Sequence, residues 1–181
     1  MHSLILRRVN ISTWIRVLGA LLFSVATALS ARISIPLPFT PVPLTLQVLA
    51  VVLSGLVLGA RGGLIAQVLY LQAILLGAPL TATGVAGPAA FLSPTAGYLL
   101  AFPLAAAVAG WLSHRSAFRR PLWRALGGIA ALTVIYALGM AWLSSFVGGL
   151  QGAWALGVAP FIGADALKIV IATALLSTRE R

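Results

Sequence analysis

Apolar residues gather along this chain in six stretches, from about Trp14 to Ala31, Thr45 to Ala60, Gly62 to Pro79, Thr95 to Ser113, Ala125 to Phe146 and Pro160 to Ser177. Runs of roughly 17 to 22 residues match the hydrocarbon thickness of a bilayer. The pattern predicts an all-α integral membrane protein of six transmembrane helices with ordered outer loops, one domain over residues 1–181 with short tails. The second and third stretches are short and parted only by Arg61 and glycines, which predicts a tight hairpin; one long apolar element is the alternative reading.

Composition requires lipid as the solvent. The 181 residues are 61% hydrophobic and 8% charged, against about 25% charged in a soluble domain, and the mean hydropathy is +1.08. A net charge of +10 would fit a nucleic-acid binder only if the basic residues shared a soluble surface with readout elements among them. Here they flank the apolar stretches, so no nucleic-acid partner is expected.

Arg7, Arg8 and Arg16 precede or begin the first stretch, and Arg61 lies between the second and third. Arg115, Arg119, Arg120 and Arg124 lie between the fourth and fifth, and Arg179 and Arg181 end the chain. In a six-span reading all of these fall on one side. The other side has only Arg32, with no Lys or Arg from Leu80 to Pro94 or from Val147 to Ala159. The positive-inside rule then places both termini in the cytoplasm of a multi-pass cell-membrane protein. The basic start, Met1 to Ile15, also fits a secretory signal, but no small-residue cleavage site leads into a soluble domain, so a retained span is expected. Cysteine is absent, which excludes disulfides and thiolate chemistry.

Two outward connections have distinctive composition. Ile33 to Pro43 reads ISIPLPFTPVP, with four prolines that forbid regular helix. Thr81 to Pro94 is small and uncharged, with glycines that permit close backbone approach. They read either as a lid on the outer face or as ordinary connections. No repeat relates the first three spans to the last three, which counts against a rocking-bundle carrier.

An ionisable residue inside a span costs roughly 2.5 to 3.5 kcal/mol and is a functional hypothesis by default. Asp165 and Lys168, three apart, share a helical face. If Pro160 opens the last helix, Asp165 lies about 7 Å below its outer end, at the floor of an outward-opening pocket. A carboxylate beside an ammonium complements N–H donors beside a carbonyl acceptor, as in a cyclic urea or an amide, and also suits a zwitterion or a carboxylate. An internal salt bridge is the alternative. Asp165 is the only acid besides Glu180, and Lys168 the only lysine. Gln47 and Tyr98 are candidate polar helpers, and Phe39 and Phe91 candidate walls. Ala20, Ser24 and Ala28, spaced by four, make a small-residue stripe for an internal contact or for docking a separate membrane subunit.

No enzyme is expected, and neither catalytic residue, cofactor nor metal. His2 and His114 lie outside the spans, so no intramembrane histidine is available as base or ligand. No Ser pairs with His and Asp in a plausible triad. The single lysine follows Leu167, which excludes a G-x-x-x-x-G-K-[ST] phosphate loop; any ATP-driven transport must use a partner.

The motifs ISIPLPFTPVPLTLQ (Ile33 to Gln47), GPAAFLSPTAGYLLAF (Gly87 to Phe102) and PFIGADALK (Pro160 to Lys168) resemble the biotin-specific substrate-binding component of energy-coupling-factor (ECF) transporters, the biotin transporter BioY family. The resemblance covers nearly the whole chain. It implies a six-helix membrane protein that binds biotin in an outward-open pocket and works with a transmembrane coupling protein and ATPase subunits, toppling in the membrane to release its cargo. The family's last-helix Asp and Lys carry over to Asp165 and Lys168. Departures occur at Ala164, where the family commonly has Gly, at Ser93 to Tyr98 in place of Gly-Pro-Thr-Gly-Gly-Tyr, and in Gly84 to Ala90, which has no polar or basic residue. The rival readings are the same scaffold with another small vitamin, a self-sufficient carrier, and an assembly subunit without a ligand.

Overall fold

The computed structural model describes residues 11–115 and 120–177, with side chains described over 14–115 and 121–177. Arg7, Arg8, Arg119, Arg179, Arg181 and the side chain of Arg120 lie outside the described residues. The described residues are mostly helical: α1 (Ile11–Arg32), α2 (Gln47–Leu75), α3 (Ala96–Ser113), α4 (Arg120–Leu143), α5 (Leu150–Gly157) and α6 (Ile162–Ser177). A two-residue antiparallel ladder pairs β1 (Ser34–Ile35) with β2 (Leu44–Thr45), Ser34 opposite Thr45 and Ile35 opposite Leu44. It draws the ends of the proline segment together. Among the described residues four helices, α1 to α4, are long and apolar enough to cross a membrane; α5 and α6, bent by 56° at their junction, make a fifth when taken as one span.

α2 is folded back on itself. Gly59 has φ 74° and ψ 178°, a backbone conformation that side-chain-bearing residues rarely adopt. Ser54 and Gln67, 13 residues apart, are joined by a 3.1 Å hydrogen bond, and Gln47 reaches Tyr70, 23 residues on, at 2.7 Å. On one straight helix these pairs would stand roughly 20 and 35 Å apart. The arms 47–58 and 60–75 therefore run antiparallel, with the turn just before Arg61.

Near that turn the hairpin and α3 meet backbone to backbone. A Cβ on Gly55 would lie 2.1 Å from the Ala106 carbonyl oxygen, one on Gly110 2.3 Å from the Ala60 nitrogen, and one on Gly63 2.8 Å from the Gly55 Cα. Ala101, Ala105, Ala106 and Ala109 of α3 are fully buried. Small residues permit this approach, which drives helix association where lipid removes the hydrophobic contrast. The His114 ring, at the end of α3, packs beside Gly59, and the Arg115 guanidinium stacks 3.9 Å above the Trp111 ring. Arg61, His114 and Arg115 thus mark one end of the molecule. At the opposite end, Arg32 donates to the Pro79 carbonyl.

Three expectations are corrected here. The stripe on α1 is not an open docking face: Ala20 and Ala28 are buried and Ser24 half-buried. α1 packs on α2, with Gly19 against Leu58 and Thr27 accepting from Gln67 at 3.1 Å, so the small side chains close an internal contact. The outward face carries Trp14, Leu18, Leu22, Val25 and Leu29, all exposed. Second, the stretch from Val147 to Ala159 contains α5, which begins after two glycines at positive φ, Gly148 and Gly149. Its eight residues span only about 12 Å, too short to cross alone, and it leads into α6 through the 56° bend. α6 itself starts at Ile162, leaving Pro160 in the preceding turn and Asp165 in the first helical turn, nearer the helix end than the spacing from Pro160 implies.

Candidate substrate-binding site

Away from the glycine seam, the same helices carry bulkier side chains. Gln47 and Val48 begin α2, Tyr98, Leu99 and Phe102 lie near the start of α3, and Ile135 and Tyr136 lie midway along α4. These side chains hold the helices apart around a pocket, which residues 42–45, 81–83, Phe161, Asp165 and Lys168 complete. Its walls are mainly apolar; its polar groups are few and convergent, as in small-molecule sites generally.

Lys168 Nζ lies 2.6 Å from Asp165 Oδ1 and donates to the Thr45 carbonyl at 2.6 Å. The Tyr136 hydroxyl donates to Asp165 Oδ2 at 2.7 Å. Asp165 is 3% exposed and Lys168 7%. Two charges so far from water are tolerable only when paired and further hydrogen-bonded, and each here has one neutral partner besides the other. The partial positive charge of the α6 N-terminus adds to the stabilisation of the carboxylate. Capacity remains: an ammonium has three donors and each carboxylate oxygen a second lone pair. The pair is thus both an internal salt bridge and part of the pocket lining.

Gln47, 5% exposed, lines the pocket from the first turn of α2. Its backbone N–H donates to Thr45 Oγ1 at 3.2 Å and its side-chain amide to the Tyr70 hydroxyl. Tyr98 also lines the pocket, but its hydroxyl is committed to the Gly157 carbonyl at 2.9 Å. Its ring is seated between glycines: a Cβ on Gly139 would lie 2.3 Å from the ring, and one on Gly157 2.2 Å from the hydroxyl. Tyr98 therefore contributes a wall. Neither expected phenylalanine joins the lining: Phe39 is 56% exposed and Phe91 packs on the core, while Phe102 and Phe161 supply the aromatic walls.

Sequence reasoning missed Tyr136, the Thr45 carbonyl, and Thr81 and Thr83, which also line the pocket. A tyrosine midway along an apolar run was the available signal, since a buried hydroxyl needs a partner. The proline segment is tied across the site by Thr40 Oγ1, which donates to the Leu156 carbonyl of α5 at 2.6 Å.

Several apolar helices around a small pocket with a few buried polar anchors give the architecture of a multi-pass membrane protein with a cavity lined for a small molecule. Residues 6–181 match the BioY family, and the chain belongs to that family, one of transporters and not of enzymes. It is 42% identical over 151 residues to the probable biotin transporter BioY of Pyrococcus horikoshii, covering 83% of this chain and 87% of that one. It is 38% identical over 158 residues to the biotin transporter BioY of Thermotoga maritima, covering 87% and 90%. The fold matches the 2.1 Å crystal structure of the S-component for biotin from an ECF-type ABC transporter, with a TM-score of 0.80 at 22% identity over 95% of this chain and 94% of that one.

Proposed function

We propose that this chain is the biotin-capturing membrane component of a biotin uptake transporter, holding the vitamin in the pocket above Asp165 and Lys168. The observation that carries the reading is the arrangement at Lys168, an ammonium bracketed by the Asp165 carboxylate and the Thr45–Gln47 segment. A cyclic urea brings N–H donors and a carbonyl acceptor to such a set, and the apolar walls suit a fused ring and an aliphatic chain. Gln47 contributes a polar contact and Tyr98 a wall.

The whole chain acts as one domain of six crossings, with the arms of α2 counted separately and α5 an outer helix leading into α6. Both termini face the cytoplasm: Arg61, His114 and Arg115 share the end opposite the pocket, and basic residues mark the inner side. The pocket then opens outward. With no phosphate-binding loop of its own, the chain delivers biotin inward together with a transmembrane coupling protein and ATPase subunits.

The test is uptake of labelled biotin by biotin-requiring cells that express the chain with and without those subunits. Accumulation that depends on this chain and on ATP hydrolysis by its partners is expected. Unchanged uptake with the partners removed would instead establish a self-sufficient carrier, and uptake of a different vitamin would overturn the substrate.

A further inference from the structure

Tyr70 does not line the pocket and is fully buried, yet it determines what the pocket presents. Its hydroxyl has one proton. The Leu80 carbonyl, 3.0 Å away, can only accept, so that proton is committed to Leu80. The hydroxyl oxygen must then accept from Gln47, whose amide nitrogen lies 2.7 Å away; the flipped amide would set two acceptors against each other. Gln47 Oε1 is consequently left on the side of Thr45, which lines the pocket and whose hydroxyl donates to it at 3.4 Å, so that a second lone pair remains to accept from a substrate.

We infer that Tyr70 is a positioning residue that locks the Gln47 amide with its oxygen toward the pocket, making Gln47 a hydrogen-bond acceptor for an N–H of the substrate. The polar row then reads acceptor, donor, acceptor: the Asp165 carboxylate, the Lys168 ammonium, and the Gln47 oxygen beyond the Thr45 carbonyl that Lys168 also reaches. A group presenting donor, acceptor, donor matches this order, and a substrate placing an acceptor against Gln47 is rejected, because a buried acceptor facing another acceptor keeps its full desolvation cost. The same bonds tie the start of α2, through Tyr70, to Leu80. The inference deepens the biotin reading and rests on it.

The test is a double-mutant cycle on biotin binding to the full-length chain in lipid nanodiscs, with Tyr70→Phe, Gln47→Ala and their combination. Tyr70→Phe keeps the ring stacked on Phe102 and removes only the hydroxyl. Tyr70→Phe should weaken biotin binding about tenfold, the value of one hydrogen bond's geometry, and less than about twofold when Gln47 is already alanine, because it acts through Gln47. Equal weakening in both backgrounds, or none in either, would overturn the inference while leaving biotin binding by the wild type intact. A wild-type chain that ignores biotin overturns the proposed function and this inference with it. Should Tyr70→Phe not fold, glutamine side-chain NMR of the wild type decides. Two distinct, slowly exchanging Gln47 amide-proton signals, identified by their absence in Gln47→Leu, are expected, and rapidly exchanging ones would overturn the assignment.

Discussion

The turn of the α2 hairpin, packed on the end of α3, and the opposite, open end of the same segments solve opposite problems. Near Gly59, side chains are reduced to hydrogens and methyls, and Gly55, Gly63 and Gly110 let three helical segments touch through their backbones. At the other end the same segments carry Gln47, Tyr98 and Phe102, which hold them apart around a pocket with a buried ion pair. The open end holds two charges that tend to destabilise the fold unless they are paired. A membrane protein gains little from hydrophobic burial between helices, so the tight seam supplies the cohesion that the open end lacks.

The largest expected effect is at the seam. Gly110→Leu puts a side chain where even a Cβ lies 2.3 Å from the Ala60 nitrogen, and no monodisperse protein should survive size-exclusion chromatography. Gly163→Ala, which meets nothing within 4 Å, should leave the elution profile unchanged. At the open end, Lys168→Ala strands Asp165 with Tyr136 alone, and thermal unfolding should show a loss of about 3 to 5 kcal/mol. Adding Asp165→Asn should restore much of that stability without restoring biotin binding, which separates the pair's structural role from its binding role.

Tyr136→Phe should cost about 1.5 to 3 kcal/mol through loss of a hydrogen bond to a charged group, with biotin affinity lowered roughly tenfold or more; unchanged affinity would remove Tyr136 from the site. Phe39→Ala, at an exposed position outside the pocket lining, should change biotin affinity by less than about twofold, within the usual effect of such a surface substitution.

This contrast between the two ends also explains what was legible in the sequence. The apolar runs locate α1, α3 and α4 closely, and the rarity of charge singles out Asp165 and Lys168 whatever the packing. Helix phase is another matter. α2, α3 and α4 carry apolar residues on every side and only scattered polar ones, so little along the chain says which side faces in. That is why Tyr136, 29 residues before Asp165, escaped notice, and why Phe39 and Phe91 were placed at the pocket on residue type alone. The stripe on α1 was legible as a contact, but not whose contact, because small residues serve internal and external neighbours alike. Gln67, deep beside Thr27 and Ser54, likewise had no signal beyond being a glutamine within an apolar run. The break at Gly59 shows the opposite case: Arg61 among glycines announced the turn, since a charge and a run of weak helix formers interrupt the span there.

The measurement that tests the central claim most directly is calorimetric titration of the purified chain with biotin, beside the Asp165→Asn, Lys168→Ala double variant checked for folding by thermal denaturation. One-to-one binding by the wild type, absent from a folded double variant, is the predicted result. Binding that persists in the double variant would show that the buried ion pair is a structural salt bridge and that biotin is held elsewhere.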